Sequence, residues 1–207
     1  MHRHAYRKAC LLPLPPKKLS PPGARRRMNA VKLALILCLL PFFAFAELCF
    51  FEASTQEAAK IDKHLIHFYA EELVRAELFS DLDEAIRAAS WEWKEDSAGK
   101  KVHYKILSRS DDTTSYGYCV YSIQGQVGFL EAIYLYEEYR GQGLGKRALQ
   151  ALELELIEKS ISEIKLHVFA HNQQAYKLYK SFGYTTESTY HDRDRPIGHH
   201  MVKILSH

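Results

Sequence analysis

A chain of 207 residues has room for one α/β domain of about 150 residues plus an extension, and too little for two full domains. With 47% hydrophobic and 26% charged residues, 13 tyrosines and 10 phenylalanines, it is neither wholly disordered nor fibrous. The net charge of +3 is unevenly spread: residues 1–46 carry nine Lys or Arg and no Asp or Glu, while residues 47–207 carry 19 basic and 25 acidic side chains, which speaks against nucleic-acid binding by the folded part.

Residues 1–27 are rich in Pro, Lys and Arg and cannot bury enough apolar area to order themselves. Met28-Asn29-Ala30-Val31-Lys32 then leads into the apolar run Leu33 to Ala46. A short basic stretch, an apolar run and Ala44-Phe45-Ala46 together have the form of a secretory signal peptide starting at Met28. The run contains Pro41 and is shorter than the roughly 20 residues that span a bilayer, so a cleaved signal is favoured over a permanent anchor. The expected division is an extension over 1–46, with membrane targeting through 28–46, and a folded domain over 47–207.

In chain order, Leu48 to Ala53 reads as a strand. Ser54 and Glu57 have capping-box spacing, opening a helix that runs to about Leu78 with Ile61, Leu65, Phe68 and Tyr69 at helical intervals. Ser80 is placed to cap a second helix, with Leu82, Ile86, Ala89 and Trp93 along one stripe, and Asp96 to Lys100 ends it. Three strand-like runs follow: Val102 to Leu107, Tyr116 to Ile123 and, after the turn Gln124-Gly125-Gln126, Val127 to Tyr136. Lys146 to Lys159 is a helix facing Ala148, Leu149, Leu152 and Leu156 inward. Ile164 to Ala170 is an apolar strand. Asn172 opens a helix bearing Ala175, Leu178, Tyr179 and Phe182, which Gly183 closes, and Met201 to Leu205 is the last strand. The order β-α-α-β-β-β-α-β-α-β predicts a mixed α/β sheet, an antiparallel meander followed by a β-α-β crossover.

The cysteines and histidines carry no metal or redox pattern. Cys10, Cys38, Cys49 and Cys119 show no CxxC spacing, and Cys49 and Cys119 sit in apolar strand-like runs as buried thiols. No HExxH is present, and the neighbours His199 and His200 would point to opposite faces of a strand.

The chemistry concentrates in Arg140-Gly141-Gln142-Gly143-Leu144-Gly145, at a strand-to-helix junction. Alternating glycines let backbone N–H groups approach an anion, and the helix N-terminus adds a favourable dipole. Arg140, Lys146 and Arg147 add positive charge. A phosphate or pyrophosphate fits. GxxxxGK[ST] is absent, and the G-x-G-x-G spacing after a meander does not match GxGxxG in a βαβ unit.

What remains, Arg140-x-x-Gly143-x-Gly145, resembles the coenzyme A-binding signature of the GNAT superfamily of N-acetyltransferases. Leu166-His167-Val168-Phe169-Ala170-His171-Asn172, continuing through Tyr179 to Phe182-Gly183-Tyr184, is similar to the second half of that superfamily's core. The lead-in Ile133 to Arg140 and the closing Met201 to Leu205 resemble it too, strongly over 127–184 and weakly before 102.

The resemblance implies an acyl-CoA N-acyltransferase fold and an enzyme that moves an acetyl group from acetyl-CoA to a primary amine by direct attack. By that resemblance the pyrophosphate lies on the N–H groups of Gln142 to Gly145, within a site formed by Tyr134, Leu135, Tyr136, Arg140, Gly141, Gln142, Gly143, Leu144, Gly145, Lys146 and Asn172. The pantetheine arm adds beside Tyr134 to Tyr136 where two strands splay. Tyr179 is the candidate general acid toward the departing thiolate. Glu131 is the candidate base, although the superfamily's acid would align one position later, at Ala132, and a one-residue shift reverses a strand's face. A water-mediated base, a neutral amine and His171 remain open. No metal is expected.

Glu71, Glu72, Asp81, Asp83 and Glu84 would suit a cationic acceptor, or form a solvated helix face. Acetyl-CoA is cytosolic, so the signal-like segment conflicts with catalysis. A non-catalytic acyl-CoA-binding protein, or an exported one on the same fold, stays as the alternative. A dimer is compatible with the sequence, which does not specify one.

Overall fold

The computed structural model describes residues 48–109 and 114–205. By its contacts the chain divides into units of residues 1–46 and 47–207. The signal-like segment 28–46 lies outside the described residues. Among those described, no helix is long and apolar enough to cross a membrane.

Local chemistry sets the element boundaries. β1 (Leu48–Glu52) leads into α1 (Thr55–Arg75), whose start is a complete capping box: the Ser54 hydroxyl accepts from the Glu57 N–H, and the Glu57 carboxylate accepts from the Ser54 N–H at 2.8 Å. α2 (Leu82–Ser97) is capped by Asp81, whose carboxylate accepts from Glu84 N at 2.8 Å. The cap expected at Ser80 therefore falls one residue later. β2 (Lys101–Arg109), β3 (Ser115–Gln124) and β4 (Val127–Leu135) form the antiparallel meander, and a 3-10 turn (Glu137–Tyr139) leads to α3 (Leu144–Glu158). β5 (Glu163–Phe169) and α4 (Gln173–Ser181) complete the crossover.

The chain ends in a hairpin that the residue pattern did not announce. β6 (Thr185–Asp192) pairs antiparallel with β7 (Arg195–Ile204), which starts six residues before the expected Met201. Thr-Thr-Glu-Ser-Thr-Tyr-His-Asp has no apolar alternation because β6 is an edge strand, mostly wet, and only pairing with β7 defines it. The seven strands run β1-β2-β3-β4-β5-β7-β6, a mixed sheet in which β4 and β5 are parallel.

Strand alternation assigns the two faces. Tyr118 on β3 bonds His64 of α1, so its face carries α1 and α2; Tyr121 bonds Glu155 of α3, so the opposite face carries α3. On the α3 face Leu149, Leu152 and Leu156 are fully buried with Cys119 and Ile164. Cys49 and Cys119 are buried free thiols. Asp81, Asp83 and Glu84 are exposed around the first turn of α2, the solvated-face reading of that charge run.

Candidate active site

The site begins with a register fault in β4. Val120 pairs with Ala132 and Tyr121 pairs with Leu130, so Glu131 is the extra residue of a β-bulge. A regular strand would put Glu131 and Ala132 on opposite faces. Here Ala132 shares the α1/α2 face with its partner Val120, and Glu131 reaches the same face, where the Ser122 hydroxyl donates to its carboxylate at 2.7 Å. The bulge thus removes the choice between the two positions. Burial raises the Glu131 pKa, against the Ser122 hydrogen bond and Lys100, which lower it.

The sheet opens at the same point of β4. Parallel pairing of β4 with β5 covers only Val127 to Leu130 against Glu163 to Leu166. Beyond Leu130, the β4 edge toward β5 has no strand partner among the described residues. A cleft of about 670 Å³ lies there, lined by β4 from Phe129 to Tyr134, β5 from Lys165 to Phe169, and α1 and α2 side chains including Glu72, Glu92 and Asp96.

Tyr134 sits in an aromatic group on the α1 side of the sheet. His64 and Tyr118 lie 4.6 and 5.3 Å from its ring centroid, with Phe68 and Tyr136 also in contact. Arg140 stacks on the same ring at 5.3 Å and donates from Nε to the Leu135 carbonyl at 3.0 Å, which ties the loop to the end of β4. Tyr136 N–H donates to the Tyr116 carbonyl at 3.0 Å, closing the strand on its β3 side.

After Arg140 the chain turns through two left-handed residues, Gly141 at φ +75° and Gly143 at φ +77°, with open space where a Cβ would project. Gly143 is the N-cap of α3 and supplies no side-chain acceptor, leaving the first N–H groups of that helix, from Leu144 onward, without a side-chain cap. Gln142 donates to the Glu138 carbonyl at 2.9 Å, while Gly145 lies inside the helix's first turn and packs near Leu178. Lys146 is exposed beside them. Uncapped helical N–H groups with a basic rim form a cradle for an anion.

α4 delivers Tyr179 to the other side of the cleft. Asn172 caps the helix, accepting from Ala175 N at 3.1 Å. Gly183 at φ +86° ends it in a Schellman motif: Tyr184 N donates to the Tyr179 carbonyl and Gly183 N to that of Lys180, with the Tyr179 and Tyr184 rings 5.6 Å apart. These two caps fix the direction of Tyr179. It approaches from the α3 face yet lines the cleft that opens onto the α1/α2 face. Burial pushes its pKa up to about 12, with a further push from Cys119, and its hydroxyl has no hydrogen-bond partner among the described residues.

His171 does not face this centre as a free base. Its Nε2 lies 2.7 Å from the carboxylate of Glu72, a buried α1 residue that also pairs with Arg75. The pair ties the β5–α4 turn to α1.

The comparisons with known proteins bear on the family and the fold. The sequence profile of the acetyltransferase (GNAT) family matches residues 62–184. The chain belongs to the GNAT acetyltransferase family. It is 48% identical over 59 residues to the uncharacterized N-acetyltransferase YycN of Bacillus subtilis, 28% of this chain and 38% of that one. Over 60 residues it is 37% identical to the thialysine N-epsilon-acetyltransferase of Bos taurus, 29% of this chain and 35% of the other. These matches thus span well under two thirds of either relative. The crystal structure of YycN superimposes with a TM-score of 0.64 at 26% identity, covering 70% of this chain and 96% of that one. The PaiA N-acetyltransferase of Thermoplasma acidophilum, solved with coenzyme A, shares the fold at a TM-score of 0.55 and 20% identity.

Several residues of the site escaped the sequence reading. Gly117 faces Leu135 across β3–β4, and any Cβ there would overlap the Tyr134 carbonyl. An isolated glycine inside a strand-like run was the available signal. Ser122, His64, His167 and Tyr190 gave no signal, because each acquires its meaning from a partner on another element. Among the described residues no group of three or more His, Cys, Asp or Glu is set to hold a metal.

Proposed function

We propose that this chain transfers the acetyl group of acetyl-CoA to a primary amine, by direct attack within a ternary complex. The carrying observation is the splay between β4 and β5, with an uncapped glycine cradle beside it, Tyr179 entering from one face of the sheet and Glu131 from the other. A donor lying along the free β4 edge would have its phosphates on Gln142 to Lys146 and its pantetheine beside Tyr134 to Tyr136. Asn172 and the Arg140–Tyr134 stack would border it. The coenzyme A complex of the PaiA relative supports this choice of donor.

Backbone N–H groups of the unpaired β4 edge polarise the thioester carbonyl, and holding both reactants in one cleft supplies much of the rate. Glu131 faces the amine and takes a proton from it, its burial-raised pKa suiting a reversible acceptor. Tyr179 protonates the departing sulfur. A phenol at about 12 is a weak acid toward a thiol of ordinary pKa about 8.5. A thiolate formed in the same dry site is penalised by the same burial, however, as the raised pKa of nearby Cys119 shows, so the gap narrows. Five carboxylates line the cleft, Glu72, Glu92, Asp96, Glu131 and Glu187, against Lys100 and Lys165, and that balance favours a cationic acceptor.

Tyr179→Phe tests the reading. It should lower kcat by about 100-fold while leaving acetyl-CoA affinity nearly unchanged. Wild-type turnover in that variant, with a good acceptor, would remove Tyr179 from the mechanism. A wild-type chain that binds acetyl-CoA but acetylates no amine would instead be an acyl-CoA-binding protein.

A further inference from the structure

The acceptor side of the cleft contains a built arrangement that acetyl transfer as described above does not use. His167 on β5 lies opposite His200 on β7, and both point to the α1/α2 face with Tyr190 of β6. The Tyr190 hydroxyl hydrogen-bonds the Nε2 of His167. This bond sits directly over Gly198 of β7, where any Cβ would collide with both partners, so the strand keeps a glycine beneath the pair. Nδ1 of His167 has no nearer partner among the described residues than the same hydroxyl at 3.5 Å. His167, Tyr190 and His200 all line the cleft that holds Glu131 and Tyr179, and His200 is exposed at its far side.

Burial foremost, with the neighbouring His200 and His199 acting in the same direction, drives the His167 pKa down to about 4. The groups facing it are Tyr190 from β6 and His200 from β7, while Phe169 packs against its edge. The acidic and titratable lining from the helices, Tyr69 and Glu72 of α1 and Glu92 and Asp96 of α2, belongs to the same cleft. At neutral pH the imidazole is uncharged, with one ring nitrogen a donor and the other an acceptor, so it can pass a proton through the ring without holding the charge.

The reaction needs such a group. An acceptor arrives as an ammonium and leaves as an amide, so two protons depart its nitrogen as the N–C bond forms and the C–S bond breaks. Glu131 takes the one lost as the N–C bond forms, which makes good the proton that Tyr179 gives to sulfur along with the electron pair of the C–S bond; the other, which turns ammonium into amine, must reach solvent. We propose that His167, held by Tyr190, accepts the proton bound for solvent, and that Tyr190 and His200 carry it out of the cleft. Nδ1 receives it, Nε2 passes its own proton to the Tyr190 oxygen, and the hydroxyl proton leaves toward His200. The assignment rests on the acetyl-transfer reading.

The test uses the full chain, acetyl-CoA and an amine that the wild type turns over. His167→Gln should lower kcat by about 100-fold across the pH range while acetyl-CoA affinity stays at its wild-type value, and free imidazole in the buffer should restore part of the rate. Tyr190→Phe, which keeps the ring, should lower kcat less and respond to imidazole in the same direction. Undiminished kcat in either variant, or a loss that imidazole does not relieve, overturns the assignment. If His167→Gln fails to fold, Tyr190→Phe decides alone by the same criteria. No turnover by the wild type with any amine sinks the transfer reading itself, a different result from a working wild type whose His167 variant is unimpaired.

Discussion

Gly143→Ala isolates the glycine cradle from the rest of the fold. Gly143 has φ +77° and ψ 1° at the N-cap of α3, and nothing lies within 4 Å of where its Cβ would be. The lesion is therefore not a clash. It is the left-handed backbone, which costs an L-residue about 1–2 kcal/mol. If the variant loop escapes that strain by leaving the left-handed state, the competent fraction falls and the apparent Kd for acetyl-CoA rises by at most about 5–30-fold. Val, branched at Cβ, should do worse. Gly125→Ala is the matched control: φ is +62°, the Cβ position is equally open, and the residue lies in the β3–β4 turn away from the cradle. Both variants should lose similar stability in a denaturant titration, while calorimetric titration with acetyl-CoA should show weakening only for Gly143→Ala. A wild-type Kd for Gly143→Ala, or equal weakening in Gly125→Ala, would refute the role given to the loop.

Other consequences are equally direct. Gly117→Ala places a methyl on the Tyr134 carbonyl and should destabilise the β3–β4 pairing by about 1–3 kcal/mol or more, visible as a lower Tm and weaker acetyl-CoA binding. Leu152→Ala, at a fully buried α3 position, should cost about 2–5 kcal/mol in urea unfolding without changing acetyl-CoA affinity in the remaining folded protein. Lys105 and Glu155 pair at 2.6 Å inside the α3 face. Burial penalises both charges, but the Glu155 and Glu52 carboxylates leave the Lys105 pKa raised above 10.5, and hydrogen bonds from Lys105 and Tyr121 leave Glu155 lowered below 4.5. The Glu155 contribution to stability is then complete above its unfolded pKa and lost as pH falls through the lower folded value. The Lys105 contribution is complete below its unfolded pKa and lost as pH rises through the higher folded value. Glu155→Gln should flatten both limbs of a plot of unfolding midpoint against pH; an unchanged plot would show that the pair is energetically idle.

Residue patterns carried most of the architecture. The capping box at Ser54, the apolar stripe of Leu149, Leu152 and Leu156, the asparagine cap at 172 and the glycine at 183 each encode a local event that needs no distant partner. The same locality explains why the cradle was legible: three glycines and a helix start lie within one short segment. The edge strand β6 was not, because a wet strand of Thr, Ser and Glu acquires its conformation from β7 and has no apolar rhythm of its own.

What only the tertiary structure decided lies across elements. Whether position 131 or 132 faces α1 and α2 depended on alternation, and the bulge made the question void by turning both to that face. The separation of β4 from β5 after Leu130 creates the cleft, and it is a property of two strands, not of either sequence. Likewise, His167 and Tyr190 are 23 positions apart and read as unremarkable strand residues until β7 offers a glycine for their hydrogen bond to sit over. Short-range hydrogen bonding and periodicity are written in neighbouring residues. Proton paths and splayed strands are written in register, which forms only when the sheet does.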